Sequence, residues 1–156
     1  MRYLIISSAL VILISIFCIA TPSKKMLVAT TDSVAAERDF YMQQVLSSIK
    51  GKEELDADSV FTNIKTFKGV KRFTAKHFLL MMNIGWGKGL GVSCTYCHNS
   101  GDWASDEKPT KEIARQMYKL RATINNELKQ IKNLQSQRPL INCITCHREK
   151  PIPVLD

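Results

Sequence analysis

The fold of this chain is decided by two five-residue stretches, Cys94-Thr95-Tyr96-Cys97-His98 and Cys143-Ile144-Thr145-Cys146-His147. In each, two cysteines are separated by two residues and followed at once by a histidine, which is the attachment pattern of c-type haem. Both thiols of such a motif bond covalently to the porphyrin, and the histidine is placed to ligate the iron. The motifs therefore predict two covalently attached haem c groups, with Cys94, Cys97, Cys143 and Cys146 as attachment sites and His98 and His147 as iron ligands.

Other uses of paired cysteines stay open at this point. A lone Cys-x-x-Cys is often a redox pair or half of a zinc site, and two copies can supply four thiolate ligands. A zinc ribbon, however, does not need the histidine that follows both pairs here. The motifs use four of the five cysteines, and the fifth, Cys18, lies in an N-terminal apolar run. The two histidines favour haem over both alternatives.

The N-terminus predicts export across a membrane. A short basic start is followed by an almost unbroken apolar run from Leu4 to Ala20, which is the arrangement of a secretory signal. Cys18 and Ala20 are small enough for a cleavage site. The run also approaches the roughly 17–25 residues that span a membrane, so an uncleaved anchor stays open.

These features divide the chain into three parts. Residues 1–21 are expected to be a signal peptide or an N-terminal membrane anchor, and residues 22–32 a tether. Residues 33–156 are expected to form one dihaem domain, because their length suits a single domain. The domain would then lie on the periplasmic side of the cytoplasmic membrane, anchored or soluble, which agrees with attachment of haem c after export.

The hydrophobic pattern predicts a mostly α-helical domain with long loops and no substantial sheet. Apolar residues recur at helical spacing in segments 33–49, 74–84 and 109–131, and Thr74 and Pro109 suit helix starts. Closely spaced glycines are expected to interrupt the second helix: Gly85, Gly87, Gly89 and Gly91. One continuous apolar stripe follows the third: Ile113, Met117, Leu120, Ile124, Leu128 and Ile131.

The charge is strongly positive, with a formal net value of +8. Segment 62–94 contains no acidic residue, and its basic residues are Lys65, Lys68, Lys71, Arg72, Lys76 and Lys88. Such a surface suits docking of an acidic redox partner, since opposite charge speeds encounter. It also suits the simpler task of offsetting the haem propionates. Nucleic acid is not an expected partner, because a basic surface alone is weak evidence for it.

Several separated segments resemble one family in the same order. They are Val60 to Lys65, Cys94 to His98, Ala104 to Lys108, Ala114 to Met117, Ile124-Asn125 and Cys143 to Arg148. This pattern is similar to the cytochrome c subunit of photosynthetic reaction centres and its small dihaem relatives, over about residues 60–154. That subunit resembles a doubled unit with four haems, so this chain is similar to one half of it. The family's glycine after Cys-His-Arg is Glu149 here, and the resemblance is not extended to a phototrophic role.

The resemblance also implies a methionine ligand on the second face of each iron. Met117 matches the ligand of the second haem, and Met82 matches best for the first, with Met81 as its competitor. Neighbouring helical residues point about 100° apart, so only one of this pair can face the iron. Without the family, a methionine on an apolar helix face is usually core filling. His77 is a further candidate for distal ligand, but it is expected to be a partly exposed helix residue near the haem.

Together these features predict an electron carrier rather than an enzyme. With both faces of each iron ligated, neither iron can readily bind a substrate, and the protein transfers electrons between respiratory redox partners. The alternative is a dihaem peroxidase or small-molecule reductase with one open haem iron, which needs an acid or base nearby. A gas or redox sensor is a third class, and it would need an output module.

Overall fold

The computed structural model describes residues 31–153. The predicted leader, residues 1–21, lies outside the described residues, as do Cys18 and nearly all of the predicted tether. Across residues 31–153, every helix is too short or too polar to cross a membrane.

The described residues form a small helical domain with long loops, as predicted. Its elements are α1 (Thr31–Ser48), α2 (Ala57–Val60), α3 (Ala75–Leu80), a π-helix (Met81–Lys88), a 3₁₀ turn (Cys94–Tyr96), α4 (Pro109–Leu128) and α5 (Cys143–His147). Two isolated β-bridges, Asp56 with Thr74 and Asn99 with Asp102, take the place of any sheet in this range. The prediction of a mostly α fold without a substantial sheet is confirmed.

The first and third predicted helices are present. α1 begins two residues before its predicted start, and α4 ends at Leu128, short of the predicted end. Pro109 occupies the first turn of α4, where its missing N–H costs no hydrogen bond and its fixed φ already suits a helix.

The second predicted helix is right at its start and wrong at its end. The Thr74 side chain caps α3 by accepting a hydrogen bond from the backbone N–H of His77 at 3.3 Å. Gly85 and Gly87 do not interrupt the helix but lie inside the π-helix that continues it. At Gly87 a Cβ would lie 2.5 Å from Cδ of Arg38. The absence of a side chain at this position therefore lets Arg38 of α1 pack directly against the π-helix.

Gly91 ends this helix and joins it to the second motif. Its φ is +65°, and a Cβ there would lie 1.8 Å from the carbonyl oxygen of Glu149. The backbone N–H of Glu149 in turn donates to the carbonyl of Gly89 at 3.2 Å. Only glycine tolerates both this backbone conformation and this close approach, so the glycine-rich segment positions the chain that follows Cys143–His147.

The hydrophobic core formed by protein atoms is small. Its buried members are Ile49, Ala57, Phe67, Ala75 and Val92. Much of the apolar stripe of α4 is exposed, including Ile113 at 56% and Leu120 at 50%. An amphipathic helix normally buries such a stripe against another element. Here the stripe instead forms the wall of a cavity.

Candidate functional site

A cavity borders each of the Cys-x-x-Cys-His motifs. The first has a volume of about 430 Å³, and its walls include Met82, Cys94, Cys97 and His98. The second has a volume of about 300 Å³, and its walls include Met117, Cys143, Cys146 and His147. These volumes are of the order found for cofactor sites, about 300–1,000 Å³. Each cavity therefore contains one complete motif together with one of the predicted methionines.

The ring of His98 is oriented by a backbone carbonyl. Its Nδ1 lies 2.8 Å from the carbonyl oxygen of Trp103. A carbonyl can only accept, so Nδ1 carries the proton and Nε2 keeps the lone pair that binds a metal. Burial lowers the pKa of His98, which favours the neutral imidazole that acts as a ligand.

The ring of His147 is oriented in the same way by the chain that follows it. Its Nδ1 lies 3.0 Å from the carbonyl oxygen of Lys150. Arg148 and Glu149 have φ values of 50° and 60°, and these two left-handed residues turn the chain back towards the ring. The left-handed conformation disfavours residues with a Cβ, which explains why a glycine suits the position of Glu149 in the family.

The cysteines do not fit the two alternatives raised by the sequence. Burial raises the pKa of the Cys94, Cys97 and Cys143 thiols, whereas a reactive redox pair needs a lowered pKa. Over residues 31–153, no three side chains of histidine, cysteine, aspartate or glutamate are grouped so that they could hold a metal ion. Within residues 31–153, these three thiols thus lack the lowered pKa of a reactive pair, and no grouping of four thiolate ligands is found.

The methionines are distributed as the ligand prediction requires. Met82 lines the first cavity, whereas Met81 lines neither cavity. Met42 of α1 also lines the first cavity and was not singled out by the sequence, but its sulfur accepts a hydrogen bond from Asn83 at 3.2 Å. His77 is exposed, lines neither cavity and bonds to Thr74. Ligation by Met82 and Met117 stays a prediction.

Segments of the family pattern converge on one carboxylate, Asp106. Its oxygens accept hydrogen bonds from Lys65 at 2.6 Å, Arg115 at 2.7 Å and Asn63 at 2.9 Å. The Lys111 ammonium lies 3.3 Å away. Hydrogen bonds, from Arg115 first and then from Lys65, hold the pKa of Asp106 well below its usual range. This carboxylate joins the loop of residues 63–65 to the start of α4.

Lys111 holds the loop that orients His98. Its ammonium donates to the carbonyls of Trp103 at 3.0 Å, Ala104 at 3.0 Å and Ser105 at 2.7 Å. Lys111 is buried, which is rare for a lysine unless its charge is paired. Sequence reasoning missed this residue because its spacing resembles that of any polar helix position.

α4 is also hydrogen-bonded to the backbone of the first motif and to the backbone just before the second motif. Lys108 and Thr110, at its N-terminal end, donate to the carbonyls of Thr95 and Tyr96 in the first motif. Near its C-terminal end, Asn125 donates to the carbonyl of Ile141 at 3.0 Å and accepts from its N–H at 2.7 Å. The two motifs are therefore placed relative to one another by a single helix.

The two cavities share a wall. Trp86, Cys97 and Ala114 line both of them. Trp86 stacks on Tyr118 with their ring centroids 5.8 Å apart, so the indole is fixed where the cavities meet.

The second cavity contains an unpaired donor that fits a haem. Within residues 31–153, Nε of Arg121 is the buried side-chain nitrogen without a hydrogen-bond partner. Its guanidinium lies 4.5 Å from the centre of the Tyr118 ring and borders the second cavity. A buried donor is expected to meet an acceptor, and a haem propionate provides one. Together with the apolar stripe of α4, the oriented histidine and the paired thiols, these residues fit haem c.

Comparison with known proteins identifies the family. The family of the photosynthetic reaction centre cytochrome C subunit matches residues 24–155. The chain belongs to this family. It is therefore a c-type cytochrome, and membership implies covalently bound haem c.

Individual relatives match over shorter stretches. Cytochrome c-554 of Chloroflexus aurantiacus is 46% identical over 63 residues, which are 40% of this chain and 15% of that protein. The photosynthetic reaction center cytochrome c subunit of Thermochromatium tepidum is 31% identical over 99 residues, 62% of this chain and 22% of that protein. The chain thus spans less than a quarter of the length of either relative. No solved structure matches the chain.

We predict that Asp106→Asn lowers the free energy of unfolding at neutral pH. A carboxylate whose pKa is depressed by folding stabilises the protein above its unfolded value, about 3.9, and this contribution is lost as the pH falls below that value. The difference between wild type and variant should therefore shrink below about pH 4. Chemical denaturation of the holoprotein at a series of pH values measures it. Glu127→Gln, an exposed change on the same helix, controls for the loss of one negative charge. A difference independent of pH would contradict this role.

Proposed function

We propose that this chain is an exported dihaem c-type cytochrome that transfers electrons between respiratory redox partners. The observation that carries the proposal is the repeated arrangement in the two cavities. Each has two thiols, an imidazole oriented by a carbonyl, and one of the two methionines predicted as ligands. Bound haem c supplies a one-electron iron couple at each site, and the protein sets its potential through ligands, burial and hydrogen bonds.

The axial ligands of this proposal are His98 with Met82 and His147 with Met117. The carbonyls of Trp103 and Lys150 hold Nδ1 of each imidazole, which leaves Nε2 free to face its cavity. Thioether ligation raises the reduction potential relative to a second imidazole. With both faces occupied, neither site has an open position for a substrate, and this distinguishes the carrier from a peroxidase or reductase.

The shared wall supports transfer within the protein. Because Trp86, Cys97 and Ala114 border both cavities, an electron accepted at one site has a short path to the other. A single small domain can then accept an electron on one side and donate it on another. Two adjacent sites serve this purpose.

The basic segment supplies a surface for an acidic redox partner. Lys65 is paired with Asp106, and the other basic side chains of segment 62–94 are exposed: Lys68, Lys71, Arg72, Lys76 and Lys88. Opposite charge on a partner would speed encounter, and the effect would weaken with salt. No nucleic acid partner is proposed.

The N-terminal segment is proposed to place the domain at the periplasmic side of the cytoplasmic membrane. We predict that the apolar run is retained as an anchor, because its length approaches that of a membrane span. The protein is expressed in a bacterium with haem c maturation. Fractionation and N-terminal sequencing then show whether the apolar run is retained and whether the protein is in the membrane. A soluble periplasmic product that starts at Thr21 would contradict retention and show that the leader is cleaved.

The first test of the function is stoichiometry. We predict that the matured protein carries two covalent haems, because both motifs are complete and each borders its own cavity. Intact mass after acid–acetone extraction measures the number attached. The double variant Cys143→Ala with Cys146→Ala should remove one haem and leave the other. A wild-type mass with one haem or none would refute the dihaem proposal.

The second test is axial ligation. We predict that Met117→Ala opens one iron, so that carbon monoxide binds readily to the ferrous variant and not to the wild type. Met117→His should keep that iron closed and lower its potential, since imidazole favours the ferric state relative to thioether. Met82→Ala should open the other iron. Met81→Ala is the matched control and should behave like wild type. Rapid carbon monoxide binding by the wild type would favour the peroxidase or reductase alternative.

A further inference from the structure

The two histidines are oriented by carbonyls in different electrostatic surroundings. The Trp103 carbonyl accepts from Nδ1 of His98 at 2.8 Å and also from the ammonium of Lys111 at 3.0 Å. The Lys150 carbonyl accepts from Nδ1 of His147 at 3.0 Å. Among residues 31–153, no side-chain cation donates to that second carbonyl. The two sites therefore differ in whether a buried cation shares the acceptor of the imidazole proton.

Lys111 belongs to a group of ion pairs in which cations outnumber carboxylates, and Asp102 also lies near enough to interact with its charge. The ion-pair group contains three cations, Lys65, Lys111 and Arg115, and two carboxylates, Asp106 and Glu112, which leaves a net charge of +1. Lys111 is buried, and only 10% of its side chain is exposed. Water and salt therefore screen its field less than that of a surface lysine. The ammonium also lines the first cavity and not the second.

We propose that Lys111 raises the reduction potential of the haem at the first motif, and so makes the two sites unequal, by sharing the carbonyl that orients His98. A cation at this oxygen withdraws electron density and makes it a weaker acceptor for the Nδ1 proton. The imidazole then donates less charge through Nε2, and the ferric state is less stabilised. The buried positive charge acts in the same direction, because it favours the reduced site. This inference rests on haem attachment at the first motif as proposed above.

Lys111 acts through His98 and its carbonyl, so it is a positioning residue rather than a ligand. A purely structural role would predict loss of stability without a selective change in one potential. The proposal instead predicts a changed reduction potential at only one of the two sites, although both sites share a cavity wall and the helix α4. The second site provides an internal reference in the same molecule.

The experiment compares the two potentials in full-length holoprotein. Lys111→Met keeps an unbranched side chain that is one atom shorter and removes its charge and its donors. We expect the reduction equilibrium constant of one haem to fall about tenfold, a shift of about 59 mV for a one-electron couple. The other haem, identified as the one that responds to Met117→His, should not change.

Two variants provide the controls. Lys119→Met removes one exposed positive charge from the same helix and should move neither potential. Lys111→Arg keeps the charge and a donor and should retain most of the wild-type potential. If Lys111→Met fails to fold, the comparison of Lys111→Arg with the neutral Lys111→Gln replaces it, and the potential should be lower with glutamine.

Several results would overturn the inference. Equal shifts of both haems, or the same shift in Lys119→Met, would show a general charge effect. Unchanged potentials in folded Lys111→Met, or equal potentials with arginine and glutamine, would show that the shared carbonyl has no effect. An intact mass without haem at the first motif would refute the proposed function and this inference together. A normal mass with unmoved potentials refutes the inference alone.

Discussion

The bonds from the Lys111 ammonium to three consecutive carbonyls are the constraint on which the first site depends. They fix the loop of residues 103–105, and that loop holds the acceptor for the ring of His98. Asp106 follows this loop directly and pairs with Arg115, one turn beyond Lys111 on the same helix. Burying a lysine is costly unless its charge is paired and its donors are used. Here the three loop carbonyls accept from the ammonium and Asp106 pairs with its charge, so these contacts hold the loop against α4.

α4 serves both cavities because a helix presents different residues on different faces. Lys111 and Arg115 are four residues apart and line the first cavity, whereas Ile113, Met117 and Leu120 line the second. Ala114 lies between these faces and borders both cavities. A small side chain at that position lets the two sites approach one another. The same helix bonds to the backbones near both motifs, so its sequence controls the spacing and the environment of the sites together.

The π-helix shows where local reasoning failed. Gly85 and Gly87 are poor helix formers, and on propensity alone they end a helix. In the structure Arg38 crosses at Gly87 and donates to Asn83 at 3.1 Å. Asn83 also donates to the sulfur of Met42, so this network joins α1 to the π-helix. The Met42 side chain lines the first cavity, and its sulfur is engaged in this hydrogen bond. These residues are more than 40 positions apart in the chain, and no local pattern indicates that they meet.

The sequence by itself determined the chemistry: the spacing of cysteine and histidine predicts haem c, and the apolar period of α4 predicts the helix that carries Met117. Both are local patterns, because a haem motif occupies five neighbouring residues and a helix repeats every 3.6. Only the tertiary structure decided which buried groups surround each site. Met82 rather than Met81 lines the first cavity, and Lys111 rather than another lysine is buried. The physical reason is that burial and shared hydrogen bonds depend on contacts between distant segments, such as Asn63 with Asp106, which composition and periodicity do not encode.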